Sequence, residues 1–276
     1  MTLQKMVEER FGNPGQIGRT VSENASLDSQ LGHRSYREFK KEAIDEDLLQ
    51  TLFAAAFSAP SKSDLQQVSV IRVLDKAKQG RIASLTPYTA WAANSPVFMV
   101  WCGDSRRIRR LAEWRGHPFA NDHLDAFMNA AVDAAIVMQN FIVAAEAVGL
   151  GCCPVSEIRD QIEALSAELE LPKWVFPVAG LCVGWPAANP GVSLRLPLET
   201  TVHSDRYDDS DLFDRVADYD RRREEKEQTK ADQQRLVETF GVSDNYGWSE
   251  NRTRQYSQPA RADFGAYIRK QGFSLK

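Results

Sequence analysis

The sequence predicts a globular protein of the α/β or the α+β class, in which helices and short β-strands alternate along the chain. Apolar residues recur at helical spacing in several segments, and continuous apolar runs of strand length separate those segments. The composition is globular, since 43% of the 276 residues are hydrophobic and 26% are charged. This length fits one large domain or two small ones.

The elements of the first half follow from these patterns in order. Residues 1–31 are expected to form a helix with a loop. Apolar positions at helical spacing predict a helix over 45–57, which ends near Pro60 because proline disfavours a helical conformation in the residue before it. Alternating apolar residues predict a strand over 68–74, and a continuous apolar run predicts a buried strand over 96–102.

The strongest helical segment of the chain is 124–148, which is rich in Ala, Val, Met and Ile and carries few charges. We expect this helix to be buried on several sides. Gly149 and Gly151 are expected to end it as a C-terminal cap. A further helix is predicted over 157–169 and a further buried strand over 175–184.

The character of the chain changes after residue 197. Segment 214–238 is almost entirely polar, with acidic and basic residues interleaved, and this pattern indicates a solvated helix more than a binding tail. Apolar residues return in 248–276, which is expected to pack against the body of the protein. The expected organisation is an N-terminal helical extension over 1–31, a core over 32–200 and a C-terminal excursion over 201–276.

Charge and cysteine content narrow the class of protein. The net charge of −4 does not favour an extended surface for nucleic acid or anionic membrane. No run approaches the roughly 18 apolar residues of a membrane-spanning helix, and charged residues within 1–11 do not fit a secretory signal. The adjacent Cys152 and Cys153 would form a strained disulfide, so we expect reduced thiols and a cytoplasmic location.

Three short patches contain residues suited to an anionic, planar cofactor. The first, 33–37, reads His-Arg-Ser-Tyr-Arg, and its guanidinium groups match phosphate oxygens two at a time. The second, 60–66, is a polar loop that can offer N–H groups and hydroxyls to the edge of a ring. The third, 149–156, has small residues that a flat ring can approach closely. Taken singly, each patch also fits an ordinary helix end or turn.

Other chemistries have weaker support in the sequence. Segment 149–154 begins like a dinucleotide-binding turn but follows a helix and ends in proline. His117 and His123 lack a third ligand at a recognised metal-binding spacing. A GxSxG elbow is absent, and Lys62 has the wrong offset from Ser61 for an SxxK nucleophile.

The order and spacing of the three patches resemble the FMN-binding signature of the nitroreductase family. The likeness runs from about residue 32 to 198, includes Gly-Leu-Cys-Val-Gly-Trp-Pro-Ala at 180–187, and resumes at 248–249 and 270–273. It is greatest for the larger oxygen-insensitive NADPH nitroreductases and flavin reductases. The resemblance implies an α+β fold with three α/β/α layers. Its central sheet would be mixed and mainly antiparallel, with a long buried helix at a homodimer interface.

The resemblance also implies roles for residues of the first patch. Arg34 and Ser35 would hold the FMN phosphate, with His33 beside them. Arg195, a cation flanked by apolar residues, would be the second phosphate ligand. Arg37 would reach the pyrimidine edge of the flavin, where a cation stabilises negative charge on the reduced ring.

The second patch would lie at the flavin ring. Ser61, Lys62 and Ser63 would contact the ring, with Gln66 in support, and Ser63 would also meet the substrate. Thr89 stands where the family often has an amide side chain.

The third patch would line the ring near its reactive nitrogen through Pro154, Val155 and Ser156, with the backbone N–H of Ser156 or Glu157 as a donor. Arg261 would lie over the substrate pocket, where a cation favours acidic or nitro-bearing acceptors. The alternative interpretation is that Arg261 is an ordinary surface arginine.

The implied activity is ping-pong hydride transfer from NADPH or NADH to an electron-poor acceptor such as a nitroaromatic, a quinone or a flavin. No catalytic side chain is expected, because the flavin carries the chemistry. Asp64 replaces an asparagine common in the family, and 239–245 lacks the arginine that reads the extra phosphate of NADPH. Two alternatives stay open: a flavin-binding carrier or sensor without turnover, and a reductive dehalogenase-like branch of the family.

Overall fold

The computed structural model describes residues 2–12, 15–22 and 24–276. They form two compact units, His33–Pro190 with Arg261–Lys276, here called the core unit, and Met1–Gly32 with Gly191–Ala260, here called the second unit. The helices are α1 Leu3–Phe11, α2 Ala25–Leu31, α3 Glu46–Phe57, α4 Lys76–Ser84, α5 Arg106–Arg115, α6 Leu124–Ala147, α7 Ile162–Glu168, α8 Leu198–Thr201, α9 Leu212–Lys226, α10 Val237–Phe240, α11 Trp248–Tyr256 and α12 Phe264–Lys270.

The core unit contains one four-stranded sheet. Its strands are β1 Val68–Arg72, β2 Val97–Asp104, β3 Gly151–Val155 and β4 Val175–Gly184. They are ordered β1-β2-β4-β3, and each neighbouring pair is antiparallel. A parallel bridge between Ser35 and Cys152 extends the outer side of β3. The four-stranded sheet is therefore antiparallel, and the parallel pairing expected of a mixed sheet is represented in the described residues by this isolated bridge.

Helices cover both faces of this sheet. Along β2, Met99 and Trp101 enter a cluster with residues of α3 and α6, including Leu49 and Phe141. The alternate residues of β2, such as Val100, enter a second cluster with residues of α4 and α7. Because successive side chains of a strand point to opposite faces, a strand buried on both faces reads as one continuous apolar run. The result is the predicted arrangement of helix, sheet and helix layers, and the α+β class is confirmed.

Several predicted elements agree closely with the structure, and others need correction. The helix predicted over 45–57 and the strand over 175–184 are confirmed. The helix predicted over 157–169 is interrupted, since a 3₁₀ turn at Glu157–Arg159 precedes α7. The polar helix predicted over 214–238 ends at Lys226 as α9. Gly149 follows the end of α6 with a φ of +86°, but Gly151 begins a strand instead of capping the helix.

Helix α6 is long and apolar enough to span a membrane by length and composition, with a mean hydropathy of 1.4 over an 18-residue window. This result does not depend on a continuous apolar run, because mean hydropathy tolerates the polar residues, such as Asp133 and Asn140, that interrupt the apolar sequence of α6. Eight residues of α6 are buried, and the helix contacts α3 and all four strands. These are the contacts of a helix in a protein core.

The C-terminal segment of the core unit packs into it through aromatic residues. Tyr267 and Ile268 of α12 and the following Phe273 are buried in a cluster with Phe176 at the start of β4. Phe176 and Phe273 meet edge to face, with ring centroids 5.3 Å apart. The expectation that the last stretch packs against the body of the protein holds for these residues.

The second unit is held together by buried polar contacts. Arg10 is 4% exposed and donates hydrogen bonds to the carbonyl oxygens of Leu31 and Ser193. Arg254 is equally buried and pairs with Glu250 at 2.7 Å. The exposed face of α9 carries ion pairs within the helix, and this confirms the predicted solvated helix over the length that α9 occupies.

Candidate functional site

The first and third patches form one surface beside β3. Ser35 bridges to Cys152, and the Tyr36 N–H donates a 3.0 Å hydrogen bond to the Cys152 carbonyl. Gly151 permits this contact, since a Cβ there would lie 2.6 Å from Cγ of Tyr36. A larger residue would therefore push the first patch away from the sheet. The structure brings together these two of the three predicted patches.

Arg34 lies half-buried in this surface. Its Nε is buried and has no hydrogen-bond partner among the residues that the structure describes. A buried charged N–H without a partner is unfavourable, so the position suits an anionic group that would complete its hydrogen bonding. On one side, Nδ1 of His33 lies 2.7 Å from Oε1 of Glu146 on α6. On the other, Arg37 is exposed, and its charge acts on the thiol of Cys153.

The third patch presents alternate residues to the outside. Pro154 and Ser156 are exposed, whereas the side chain of Val155 belongs to the core. A contact of Val155 with a ring would therefore involve its backbone, and it stays a prediction. Glu157 is 7% exposed, and its carboxylate accepts hydrogen bonds from the backbone N–H of Tyr88 at 2.9 Å and from the Thr89 hydroxyl at 2.7 Å. Thr89 is thus held next to the end of the third patch.

The second patch is a tight loop fixed to the middle of α6. Ser63, Asp64 and Gln66 all have left-handed backbone conformations, with φ of 52°, 54° and 49°. Ser61 Oγ donates a 2.8 Å hydrogen bond to the buried carboxylate of Asp133. The side chain of Gln66 donates a 3.0 Å hydrogen bond to Asp64 within the loop, and its predicted support of the ring stays a prediction.

The second patch meets α6 far from the first. Asp133, which holds the loop, and Glu146, which contacts His33, are thirteen residues apart on the helix. At a rise of 1.5 Å per residue, these positions are about 20 Å apart along the helix axis. The structure therefore does not place the second patch directly against the other two within one chain.

Arg261 lines a cavity of about 350 Å³ in the core unit. Its Nε donates a 2.5 Å hydrogen bond to Oδ1 of Asp160. Arg159 lines the same cavity, and its guanidinium donates to the carbonyl of Val178. Burial, followed by the nearby charge of Arg261, lowers the pKa of Arg159. The other lining residues are mainly apolar: Phe127, Ala131, Phe176, Pro177, Val178 and Phe264. Two cations among aromatic rings suit a planar, electron-poor or acidic molecule.

Arg195 belongs to the second unit. Its guanidinium donates to Ser193 Oγ at 2.7 Å, and its backbone N–H donates to the Arg10 carbonyl, also at 2.7 Å. The side chain is exposed. Its role as a phosphate ligand remains a prediction.

All four cysteines are free and buried. Burial raises the pKa of Cys102 and that of Cys182 to about 12. Burial also raises the pKa of Cys152 and of Cys153, the latter against the opposing charge of Arg37. These thiols are protonated at neutral pH and are poor nucleophiles.

Family models match nearly the whole chain. The model of the nitroreductase family covers residues 31–185, and the model of the nitroreductase family C-terminal domain covers residues 193–276. The chain belongs to the nitroreductase family.

Individual relatives agree with this membership. The sequence is 34% identical over 252 residues to the oxygen-insensitive NADPH nitroreductase of Salmonella typhimurium, covering 91% of this chain and 99% of the relative. It is 31% identical over 257 residues to FMN reductase [NAD(P)H] of Bacillus subtilis, covering 92% of this chain and 99% of the relative.

Solved structures show the same fold. NfrA2 of B. megaterium superposes with a TM-score of 0.83 at 31% identity, over 92% of this chain and all of that one. NADPH:FMN oxidoreductase from Vibrio harveyi, solved in complex with NAD+, superposes with a TM-score of 0.80 at 28% identity, again over 92% and 100% of the two chains.

In this member of the nitroreductase family, two residues that organise the candidate site were not found from the sequence. Asp133 and Glu146 lie in a segment whose pattern indicates only an apolar helix, although their carboxylates hold the second and first patches. A signal was available for Asp133, because a carboxylate in the middle of a helix expected to be buried requires hydrogen-bond donors.

Proposed function

We propose that this protein is an FMN-dependent oxidoreductase that transfers hydride in a ping-pong reaction. NADPH or NADH is the donor, and nitroaromatics, quinones or flavins are the acceptors. The observation that carries the proposal is the buried, unpartnered Nε of Arg34 on the surface formed by the first and third patches. The names of the relatives, FMN reductase and NADPH nitroreductase, support the same activity.

The residues of the surface fit FMN. Arg34 and Ser35 would hold its phosphate, and His33 is kept in place beside them by Glu146. Pro154 and Ser156 offer an exposed, small-residue surface to a flat ring. When bound, FMN supplies the group that accepts a hydride from the nicotinamide and gives it to the second substrate. The protein contributes binding, orientation and charge.

We propose the cavity beside Arg261 as the place for the acceptor. Its arginines would attract acidic or nitro-bearing molecules, and its phenylalanines would pack against an aromatic ring. Arg159 already donates to a backbone carbonyl, and Arg261 to Asp160, so each is fixed in position before a ligand arrives. A fixed cation orients a charged substrate with a smaller loss of entropy.

We propose that the protein acts as a homodimer. Leu124, Met128, Val132 and Ile136 form an exposed apolar stripe along α6, with exposures of 52%, 55%, 40% and 37%. Residues four apart lie on one face of a helix, so the stripe is continuous. Apolar stripes of this kind favour association. In the proposed dimer, the loop 61–66 of one copy would complete the pocket of the other.

We also assign the protein to the cytoplasm, because four free, buried thiols suit a reducing compartment.

Removal of the Arg34 guanidinium tests the cofactor assignment. In Arg34→Gln, the dissociation constant for FMN, measured from flavin fluorescence on titrating apoprotein, should rise about tenfold or more, since a charge-assisted hydrogen bond contributes roughly 1.5–3 kcal/mol. The control is Arg81→Gln, which loses a surface ion pair with Glu168. Equal FMN affinity in both variants would contradict the assignment of Arg34.

A further inference from the structure

The loop 61–66 adopts a backbone conformation that its own residues do not favour. Three of its residues, Ser63, Asp64 and Gln66, have φ between 49° and 54°. Residues with a Cβ enter this region at a cost in free energy, and they remain there only when surrounding contacts hold them. Such a loop needs an external anchor.

One buried carboxylate ties both ends of the loop together. Asp133 is 1% exposed. Its Oδ1 accepts a hydrogen bond from the Lys62 N–H at 3.2 Å. Its Oδ2 accepts from the Ser61 hydroxyl at 2.8 Å and from the Gln67 N–H at 3.2 Å. Ser61 Oγ in turn accepts the Gln66 N–H at 2.7 Å. The strained residues therefore lie between two points fixed to the same side chain.

A second contact holds the C-terminal end of the loop. The guanidinium of Arg107 on α5 donates to the carbonyl oxygens of Gln66 at 2.5 Å and Val68 at 3.1 Å. These bonds hold the end of the loop against the first residue of β1. They do not reach Ser61 or Lys62, whose position depends on Asp133.

We propose that Asp133 is a positioning residue for bound FMN. This inference rests on the proposed function, in which the loop 61–66 forms part of the flavin pocket. Asp133 acts through the loop and not by touching the cofactor, because its carboxylate oxygens are occupied by Ser61, Lys62 and Gln67. The charge of Asp133 would also disfavour the negative charge that a flavin bound against the loop gains on reduction, so it would lower the reduction potential of that flavin.

The chemistry of the carboxylate explains why an amide would not replace it. An ionised carboxylate accepts hydrogen bonds at both oxygens, whereas an amide has one acceptor oxygen and an NH₂ group that only donates. In Asp133→Asn, the NH₂ group would face N–H or O–H donors on one side. The variant keeps the volume of the side chain and removes the anchor from one end of the loop.

The test compares Asp133→Asn with Asp125→Asn. Asp125 is an exposed residue of the same helix, bonded to Asn129 at 2.7 Å, and it serves as the matched control. In apoprotein, trypsin should cleave the Lys62–Ser63 bond at least about tenfold faster in Asp133→Asn than in wild type. With FMN, Asp133→Asn should bind about tenfold more weakly, show an altered visible circular dichroism band and have a more positive midpoint potential. Asp125→Asn should resemble wild type throughout.

The outcomes separate this inference from the proposed function. Cleavage at Lys62 is measured without flavin, so an unchanged cleavage rate overturns the role of Asp133 whether or not FMN binds. Failure of the wild-type protein to bind FMN overturns the proposed function and, with it, the effect on flavin. If Asp133→Asn does not fold, Ser61→Ala removes the other side of the same hydrogen bond. Because Ser61→Ala keeps the charge of Asp133, its readout is cleavage alone: a wild-type cleavage rate would overturn the proposal, and faster cleavage after Lys62 would support it.

Discussion

The hydroxyl of Thr89 donates a 2.7 Å hydrogen bond to Oε2 of Glu157, and the backbone N–H of Tyr88 donates to the other oxygen at 2.9 Å. Sixty-eight residues of chain separate the two side chains. The contact gives a buried carboxylate two donors and fixes the end of β3, where the third patch turns away from the sheet.

The substitution Thr89→Val should destabilise the protein by about 1–3 kcal/mol. It preserves the shape of the side chain but leaves a buried carboxylate oxygen without its donor. The measurement is the free energy of unfolding in urea. Thr51→Val, which removes an exposed hydroxyl bonded to the Asp47 carbonyl, is the control and should change the free energy by less than about 0.5 kcal/mol. Equal effects of the two substitutions would contradict the structural role of Thr89.

Substitution of Arg261 should weaken the binding of acidic acceptors more than the binding of neutral ones. In Arg261→Gln, KM for an acidic acceptor such as 4-nitrobenzoate should rise about tenfold, because a charge-assisted hydrogen bond is lost. KM for a neutral nitroaromatic should remain within about twofold, since the phenylalanines of the cavity are unchanged. A parallel loss for both acceptors would show that Arg261 does not recognise substrate charge.

A charge placed on the apolar stripe of α6 should separate the proposed dimer. Val132→Lys is expected to sediment as a monomer in analytical ultracentrifugation and to bind FMN at least about tenfold more weakly than wild type. Leu74→Lys is the control, because Leu74 is also exposed, at 73%, and lies on a different element. A monomeric wild-type protein that binds FMN tightly would contradict the shared pocket.

Acid should remove a stabilising ion pair on α3. The hydrogen bond from Arg72 and then that from Gln50 lower the pKa of Glu46 from 4.5 to about 2. A carboxylate whose pKa is lower in the folded state stabilises the protein above its unfolded pKa, and the contribution disappears as the pH falls. Wild type should therefore be more stable than Glu46→Gln at pH 6. The difference should diminish between about pH 4.5 and pH 2. A difference in melting temperature that is constant over this interval would contradict the assignment.

The pattern of apolar residues within a segment predicts those elements that have a regular pattern of burial. Strand β4 is a continuous apolar run buried on both faces, and α3 has apolar residues at helical spacing on one face. Each element is therefore predictable from its own sequence, without knowledge of the elements that pack against it. Strand β3 does not, because Gly151, two cysteines and Pro154 have little strand character, and only pairing with β4 makes them a strand. Long-range contacts decide such segments.

The candidate site was predictable to a similar extent. The resemblance indicates all three patches, of which the structure joins the first and the third through Ser35 and Cys152. The anchoring roles of Asp133 and Glu146 depend on contacts across 72 and 113 residues, respectively, and no periodicity within α6 reveals them. The side chain of Val155 fills the core behind the strand, so its predicted place at the ring, which stays a prediction, would involve its backbone.

The most direct test of the central claim is the visible spectrum of the purified protein under anaerobic conditions, after reconstitution with FMN. Addition of NADPH or NADH should bleach the flavin absorption, and subsequent addition of a nitroaromatic or a quinone should restore it. Bound flavin that neither nucleotide bleaches, or protein that does not retain FMN at all, would contradict the proposed oxidoreductase.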